Sequence, residues 1–227
     1  MRGWFVTGTD TGVGKTVVAV SLLHALRQSG IPAIGVKPVA AGCMHTAGGW
    51  RNDDALALQA ASARAIAYSD VNPVALPAPA SPHLAAAEAG IEIDCSRLIR
   101  HVQGLATADE CLVVEGAGGW RVPLSSGHTM ANLAAGLGLP VVLVVAIRLG
   151  CLNHAVLSSE AIVGDGLRLA GWVAVQTEAD VPRLDEQIAT LDARLPGPRF
   201  GTIPWQGLSF SGDACNRLDV SVLLAGG

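Results

Sequence analysis

The sequence predicts an α/β fold, a mostly parallel twisted sheet with helices on both faces, and three observations carry that expectation. Apolar runs of strand length alternate with helix-length segments along the whole chain. Half of the 227 residues are hydrophobic but only 4% are aromatic, so the interior is built largely from Ala, Val, Leu and Ile. Strands of that composition, buried on both faces, read as continuous apolar runs. Finally, the first such run passes through a glycine-rich turn into Gly14-Lys15-Thr16 at the start of a helical pattern.

Taken in order, Trp4-Phe5-Val6-Thr7 reads as a buried strand and Lys15–Gln28 as the helix after the turn. Residues 33–37 form a second strand, which makes 4–37 a βαβ unit. Residues 53–63 read as helix. Residues 71–82 hold Pro73, Pro77, Pro79 and Pro82, so an irregular path is expected there. Helices resume over 83–89 and 96–106. Cys111-Leu112-Val113-Val114-Glu115 is an apolar strand ending in a carboxylate, followed at once by Gly116-Ala117-Gly118-Gly119. Residues 141–147 are the strongest buried strand. Helix at 154–164, strand at Leu169–Val175, helix at 182–195 and strand at 200–203 continue the alternation, which calls for right-handed crossovers. No repeat or linker divides the chain, so residues 1–227 are expected to form one domain.

The formal charge of -4, without a basic block, argues against a nucleic-acid partner. The five cysteines, Cys43, Cys95, Cys111, Cys151 and Cys215, form no C-x-x-C pair and read as small core residues in a reducing compartment. The six histidines show no metal-ligand spacing. Trp50, Trp120, Trp172 and Trp205 read as packing anchors. The start of the chain lacks the pattern of a signal peptide, and the longest apolar run, 137–147, contains Gly138 and Pro140 and is too short to span a bilayer. A cytoplasmic protein without a membrane partner is the expectation.

The segment Gly8-Thr9-Asp10-Thr11-Gly12-Val13-Gly14-Lys15-Thr16 carries a definite chemistry. Glycines let backbone N–H groups curl around phosphate oxygens, and the helix N-terminus adds partial positive charge. Lys15 would neutralise the β- and γ-phosphates and the Thr16 hydroxyl would sit on Mg²⁺. Five residues separate Gly8 from Gly14, so the loop is a variant of the usual pattern. A P-loop NTPase-like fold binding MgATP follows.

Magnesium needs further oxygen ligands. Glu115 stands where an apolar strand ends, at the sheet edge where open α/β folds bind ligands. Asp54, in Arg51-Asn52-Asp53-Asp54, is the second candidate, the alternative being that this acidic stretch only caps a helix. Lys37, ending the second strand, is placed either to stabilise charge on a transferring phosphoryl group or as a solvated strand terminus.

Several motifs in the same order resemble the dethiobiotin synthetase family of biotin biosynthesis. They are Phe5-Val6-Thr7-Gly8-Thr9-Asp10-Thr11 with Val13-Gly14-Lys15-Thr16, Lys37-Pro38-Val39-Ala40, Asn52 with Asp54-Ala55-Leu56, Ser81-Pro82-His83 and Val113-Val114-Glu115-Gly116-Ala117-Gly118-Gly119. Leu149-Gly150-Cys151-Leu152-Asn153-His154, Ala170-Gly171-Trp172-Val173 and Ile203-Pro204-Trp205 complete the series. The resemblance implies a homodimer that carboxylates 7,8-diaminononanoate with carbon dioxide, phosphorylates the carbamate with MgATP and closes a ureido ring to give dethiobiotin, ADP and phosphate. It implies Lys37, Lys15 and Thr11 as catalytic residues and Thr16, Asp54 and Glu115 as metal ligands. Nucleotide contacts would come from Gly12, Val13, Gly14, Lys15, Thr16, Val17, Asp54, Glu115, Gly116, Ala117, Gly118, Val175, Gln176, Pro204, Trp205 and Gln206. Substrate would meet Thr11, Lys37, Ala41 and Gly118, with the loop of Gly150, Cys151, Leu152 and Asn153 from the second subunit receiving its carboxylate. The chain departs from the family at Ala41, commonly serine, at Gly12, usually a larger residue, and at Val175, often an adenine-reading Asn with Gln176 beside it as a substitute. A rival reading, a P-loop switch ATPase of the partition or septum-placement type, would usually carry an extra lysine near Gly8-Thr9-Asp10, where this chain has none.

Overall fold

The computed structural model describes residues 1–205 and 217–225. In chain order the elements are β1 (Arg2–Gly8), α1 (Lys15–Gln28), β2 (Ala33–Val36), β3 (Val39–Ala41), β4 (Met44–Thr46), β5 (Gly49–Arg51) and α2 (Asp53–Ala61). Next come α3 (Tyr68–Val71), β6 (Val74–Leu76), α4 (Pro82–Glu88), α5 (Cys95–Leu105), β7 (Cys111–Gly119) and α6 (Met130–Leu137). The rest of the described chain forms β8 (Val141–Ala146), α7 (Cys151–Gly164), β9 (Leu169–Val175), α8 (Leu184–Arg194), β10 (Arg199–Ile203) and α9 (Val220–Ala225).

Six strands form the central sheet in the order β10-β9-β8-β1-β7-β2, and every neighbouring pair is parallel. Val141-Val142-Leu143-Val144-Val145-Ala146 of β8 are all buried. Successive side chains of a strand point to opposite faces, so β8 is covered on both, as the composition requires. Packing of α1 on β1, β2 and β7, and of α7 on β8 and β9, supplies part of that cover. The expected βαβ unit differs in one respect: β7 lies between β1 and β2 and pairs with both. A right-handed crossover can skip a strand position, and nothing local to residues 4–37 records the intruder.

The strand expected to end at Glu115 continues through Gly119. Val6 pairs with Glu115 and Gly8 with Gly119, so the register shifts there, and Gly118 takes a positive φ of 64° within the irregular stretch. Within the proline-rich segment expected to be irregular, Val74-Ala75-Leu76 forms β6, parallel to β3. Pro73 and Pro77 bracket these residues, leaving their own N–H groups free to pair. The α7 helix begins at Cys151, three residues before its expected start, so Cys151, Leu152 and Asn153 are its first turn and not a loop. β3, the β4–β5 hairpin, α3, α6 and α9 had no counterpart in the sequence reading. Thr129 and Asn132 form the capping box that starts α6.

Cys43, Cys95, Cys111 and Cys151 are free and buried. Trp120 and Trp172 are buried as anchors, whereas Trp50 and Trp205 are each 40% exposed. Trp50 sits in the two-stranded β4–β5 hairpin, edge-on to His45. Among the described residues no helix is long and apolar enough to cross a membrane.

Candidate functional site

The carboxyl ends of β1 and β2, with the middle of β7 between them, meet at one edge of the sheet. The phosphate loop leaves β1 there. Gly12 and Gly14 have φ of 74° and 90°, the left-handed region that favours glycine, and Gly14 is the N-cap of α1. A Cβ on Gly14 would also stand 2.9 Å from Val175 Cγ1, so residue 14 has no room for a side chain. Lys15 is buried and its Nζ donates to the Asp10 carbonyl at 2.8 Å, curling back over its own loop. Burial, with the Lys37 charge second, lowers its ammonium to about 8. Asp10 also accepts from the Thr11 N–H at 2.7 Å and from Arg148 Nη2 at 3.0 Å.

Lys37 is 4% exposed, which removes the solvated-terminus reading. Its backbone is held on both sides, since the Lys37 N–H donates to Val71 O at 2.8 Å and Asn72 Nδ2 donates to Lys37 O at 2.7 Å. Its Nζ donates to Asp54 Oδ2 at 2.9 Å, to Glu115 Oε1 in a short contact, and to Gly116 O at 3.4 Å. Thr16 Oγ1 donates to the same Glu115 Oε1 at 2.9 Å. Burial works against the Lys37 ammonium, but the charges of Glu115 and Asp54 outweigh it and hold the group above the ordinary lysine value. Burial likewise resists ionisation of Asp54, and there the Lys37 charge prevails and lowers the carboxyl. Glu115 is wholly buried, and burial raises it despite Lys37. One cation thus serves two carboxylates, and the deeper carboxylate bears most of the desolvation. Glu115 Oε2 has no hydrogen-bond partner among the described residues.

Asn52 caps α2, accepting from the Ala55 N–H at 3.3 Å, and Asp54 in the first turn is left to face Lys37. A cavity of about 740 Å³ opens over this cluster. Its walls include Thr11, Gly12, Gly14, Lys15, Thr16, Val17, Lys37, Ala41, Asp54, Glu115, Ala117 and Gly118, all expected from the sequence. The remaining wall, Ala40, Asn52, Pro79, Ala80, Ser81, Pro82 and Val122, is not among the expected site residues. For Ser81 and Pro82 the signal was the Ser81-Pro82-His83 motif; for Val122 there was none.

Other expected positions lie outside the cavity. Val13 and Gly116 are structural neighbours of it: Val13 is buried, and a Cβ on Gly116 would meet Phe5 and Met130 at 3.2 and 3.3 Å. Val175 packs against Gly14, and Gln176 Nε2 is engaged by Ala179 O at 3.1 Å. Pro204 and the exposed Trp205 follow β10, and Gln206 lies outside the described residues. Gly150, Cys151, Leu152 and Asn153 stand at the N-terminus of α7, and Cys151 is buried with its Sγ 3.3 Å from Gln187 Oε1. Within one chain these residues do not reach the cavity that holds Lys37.

Comparison with known proteins settles the lineage. ATP-dependent dethiobiotin synthetase BioD of Pseudomonas paraeruginosa is 54% identical over 207 residues, covering 90% of each chain. The protein of that name from Cellvibrio japonicus is 50% identical over 223 residues, 98% of each chain. The chain belongs to the dethiobiotin synthetase family. The AAA domain family profile also matches it, over residues 2–209. A ParA family ATPase from Chlorobium tepidum superposes with a TM-score of 0.52 at 18% identity, over 99% of this chain and 89% of its own. That likeness is one of fold alone. This chain therefore shares its fold with that ATPase, while its sequence places it with the dethiobiotin synthetases.

Proposed function

We propose that the chain is an ATP-dependent dethiobiotin synthetase that works as a single domain of 227 residues. It carboxylates one amine of 7,8-diaminononanoate, phosphorylates the resulting carbamate with MgATP and closes the ureido ring with release of phosphate. The observation that carries this reading is the buried Lys37 ammonium, set between Asp54 and Glu115 in the cavity that the phosphate loop walls. Phosphoryl transfer asks the protein for positioning and charge neutralisation more than for covalent chemistry, and this arrangement offers both. Lys15, freed from the Asp10 carbonyl, would turn to the β- and γ-phosphates. Lys37 would face the attacking carbamate oxygen and the transferring group, with Thr11 and the backbone at Gly118 beside the substrate.

The residues present fit Mg²⁺. Thr16 Oγ1, Asp54 and Glu115 are all hard oxygen donors, and Glu115 Oε2 is buried without a partner among the described residues. Bound there with the nucleotide phosphates, the ion would supply charge neutralisation at the γ-phosphate. The three protein donors would hold it, and Lys37 would give up its carboxylates and be released toward substrate.

Gly150, Cys151, Leu152 and Asn153 open α7 outside their own chain's cavity, which supports a homodimer in which this helix N-terminus receives the carboxylate of a substrate bound by the second subunit. A cytoplasmic location accords with four buried free cysteines. Phosphate release from MgATP should depend on both diaminononanoate and bicarbonate. Release indifferent to the diamine but stimulated by DNA or lipid would overturn the reading in favour of a switch ATPase.

A further inference from the structure

Carboxylation of an amine leaves a proton to be removed. The nitrogen lone pair attacks the carbon of CO2, an N–C bond forms, and one C=O electron pair moves to oxygen, leaving a positively charged nitrogen next to the new carboxylate. A base must take the N–H proton before the carbamate is stable. Ring closure later releases another, but there an oxygen of the departing phosphate can accept it. Carboxylation has no such leaving group.

The cavity's ionisable side chains do not meet this need. At neutral pH Lys37 is a cation and so, for the most part, is Lys15, whose ammonium donates to the Asp10 carbonyl. Asp54 and Glu115 both bond the Lys37 ammonium. Three hydroxyls line the cavity, those of Thr11, Thr16 and Ser81. The Thr16 hydroxyl donates to Glu115. Ser81 is the one with an imidazole behind it: its Oγ lies 3.1 Å from His83 Nδ1. Ser81 is also the N-cap residue of α4, yet its hydroxyl makes no capping hydrogen bond. A serine at that position ordinarily spends its oxygen on the helix's free N–H groups. Here the helix turns on the Ser81 carbonyl, which accepts from Leu84 and Ala85, and the side chain is left to the cavity and to His83. His83 is half-buried, so a proton reaching the ring can leave to solvent. The strands packed on α4 are β3 and β6; neither carries an ionisable side chain, and Glu88 is the other ionisable group on α4 itself.

We infer that Ser81 and His83 form the proton-accepting pair for carboxylation of the diamine. With His83 in the tautomer protonated at Nε2, Ser81 donates to Nδ1. As the N–C bond forms, Ser81 Oγ takes the amine proton and passes its own to Nδ1, and the imidazolium loses its Nε2 proton to water. Ser81 touches the substrate; His83 acts through it. The inference rests on the synthetase reading, which the first measurement below tests by itself.

Wild-type protein is assayed for phosphate release dependent on diaminononanoate at saturating bicarbonate; its absence would overturn the synthetase reading and this inference together. Given that activity, Ser81→Ala and His83→Gln should each lower kcat/KM for the diamine by about 10²-fold at neutral pH, the usual contribution of a positioned base. The KM for MgATP should be unchanged. Ser81→Thr, which keeps a hydroxyl, should retain most of the rate, and this controls for folding. The decisive readout is the pH profile of kcat/KM for the diamine. In His83→Gln the acid limb due to the imidazole should vanish, leaving a rate that climbs steadily with pH as more free amine is neutral. Variants that keep both the wild-type rate and the wild-type profile would overturn the inference. So would a loss in His83→Gln with an unshifted profile, which marks a structural role.

Discussion

Replacing Lys37 with methionine tests whether one ammonium holds the site together. Methionine keeps most of the volume and removes the charge. The side chain of Glu115 is 0% exposed and that of Lys37 5%, so the substitution strands a carboxylate in the interior. Removing one partner of a buried ion pair costs about 3–5 kcal/mol, because the other charge stays desolvated. Asp54 adds little, for its side chain is 42% exposed and water screens it, leaving about 1 kcal/mol or less. Nucleotide-free Lys37→Met should therefore unfold at a lower urea concentration at neutral pH, with about 3–5 kcal/mol lost. Its deficit should shrink on acidification, since burial raises the Glu115 carboxyl and a proton then replaces the missing cation. The sign for Asp54 runs the other way. Its carboxyl is depressed in the wild type, so its stabilisation is present above the unfolded value and is lost as pH falls through the folded one. Adding Glu115→Gln to Lys37→Met should recover much of the loss, which a double-mutant cycle reads directly. Turnover should collapse in Lys37→Met while nucleotide binding largely persists. An unfolding midpoint equal to that of the wild type, or a cycle with no coupling between residues 37 and 115, would refute the reasoning.

Lys15 supplies a second pH prediction. Its ammonium is lowered to about 8 by burial and Lys37, and phosphate would restore the proton, so MgATP binding should take up protons and weaken by up to about tenfold per unit as pH rises beyond 8. For stability the folded form binds fewer protons than the unfolded one between about 8 and 10.5, so this group's contribution improves across that window. Calorimetry in buffers of different ionisation enthalpy measures the uptake, and an affinity flat across that range would exclude it. Base choice is the third expectation: Val175→Asn should raise the ATP-to-GTP ratio of kcat/KM, because it places a carboxamide where Val175 now offers only methyl groups against Gly14. An unchanged ratio in a panel of nucleoside triphosphates would show that position 175 does not read the base.

What was legible in the sequence was whatever a single segment encodes. The strand–turn–helix from Arg2 to Gln28 carries its own periodicity, and the glycines at 12 and 14 announce their positive φ by being glycines. Short strands paired far away were not legible: β3 and β6 are three residues each, and neither has the length for a period to register. Glu115, expected as a site residue, lines the cavity, but it is not the strand end the sequence suggests, because four small residues after an apolar run look like a turn. In the structure they extend β7 through a register shift that bends the chain around the cavity.

Lys37 shows why the remainder required the fold. As a lone lysine at a strand end it had two readings of opposite consequence, and its immediate neighbours favour neither. Burial was decided by Asn72, whose amide grips the Lys37 carbonyl, and by Glu115, which reaches it from the intervening strand β7. These partners lie 35 and 78 residues along the chain. The same topology that defeated the simple βαβ expectation, β7 inserted between β1 and β2, is what brings a carboxylate within reach of both Thr16 and Lys37. A strand misplaced by one position would have separated the metal-ligand candidates by about 5 Å per step, so the sheet order and the site are a single fact.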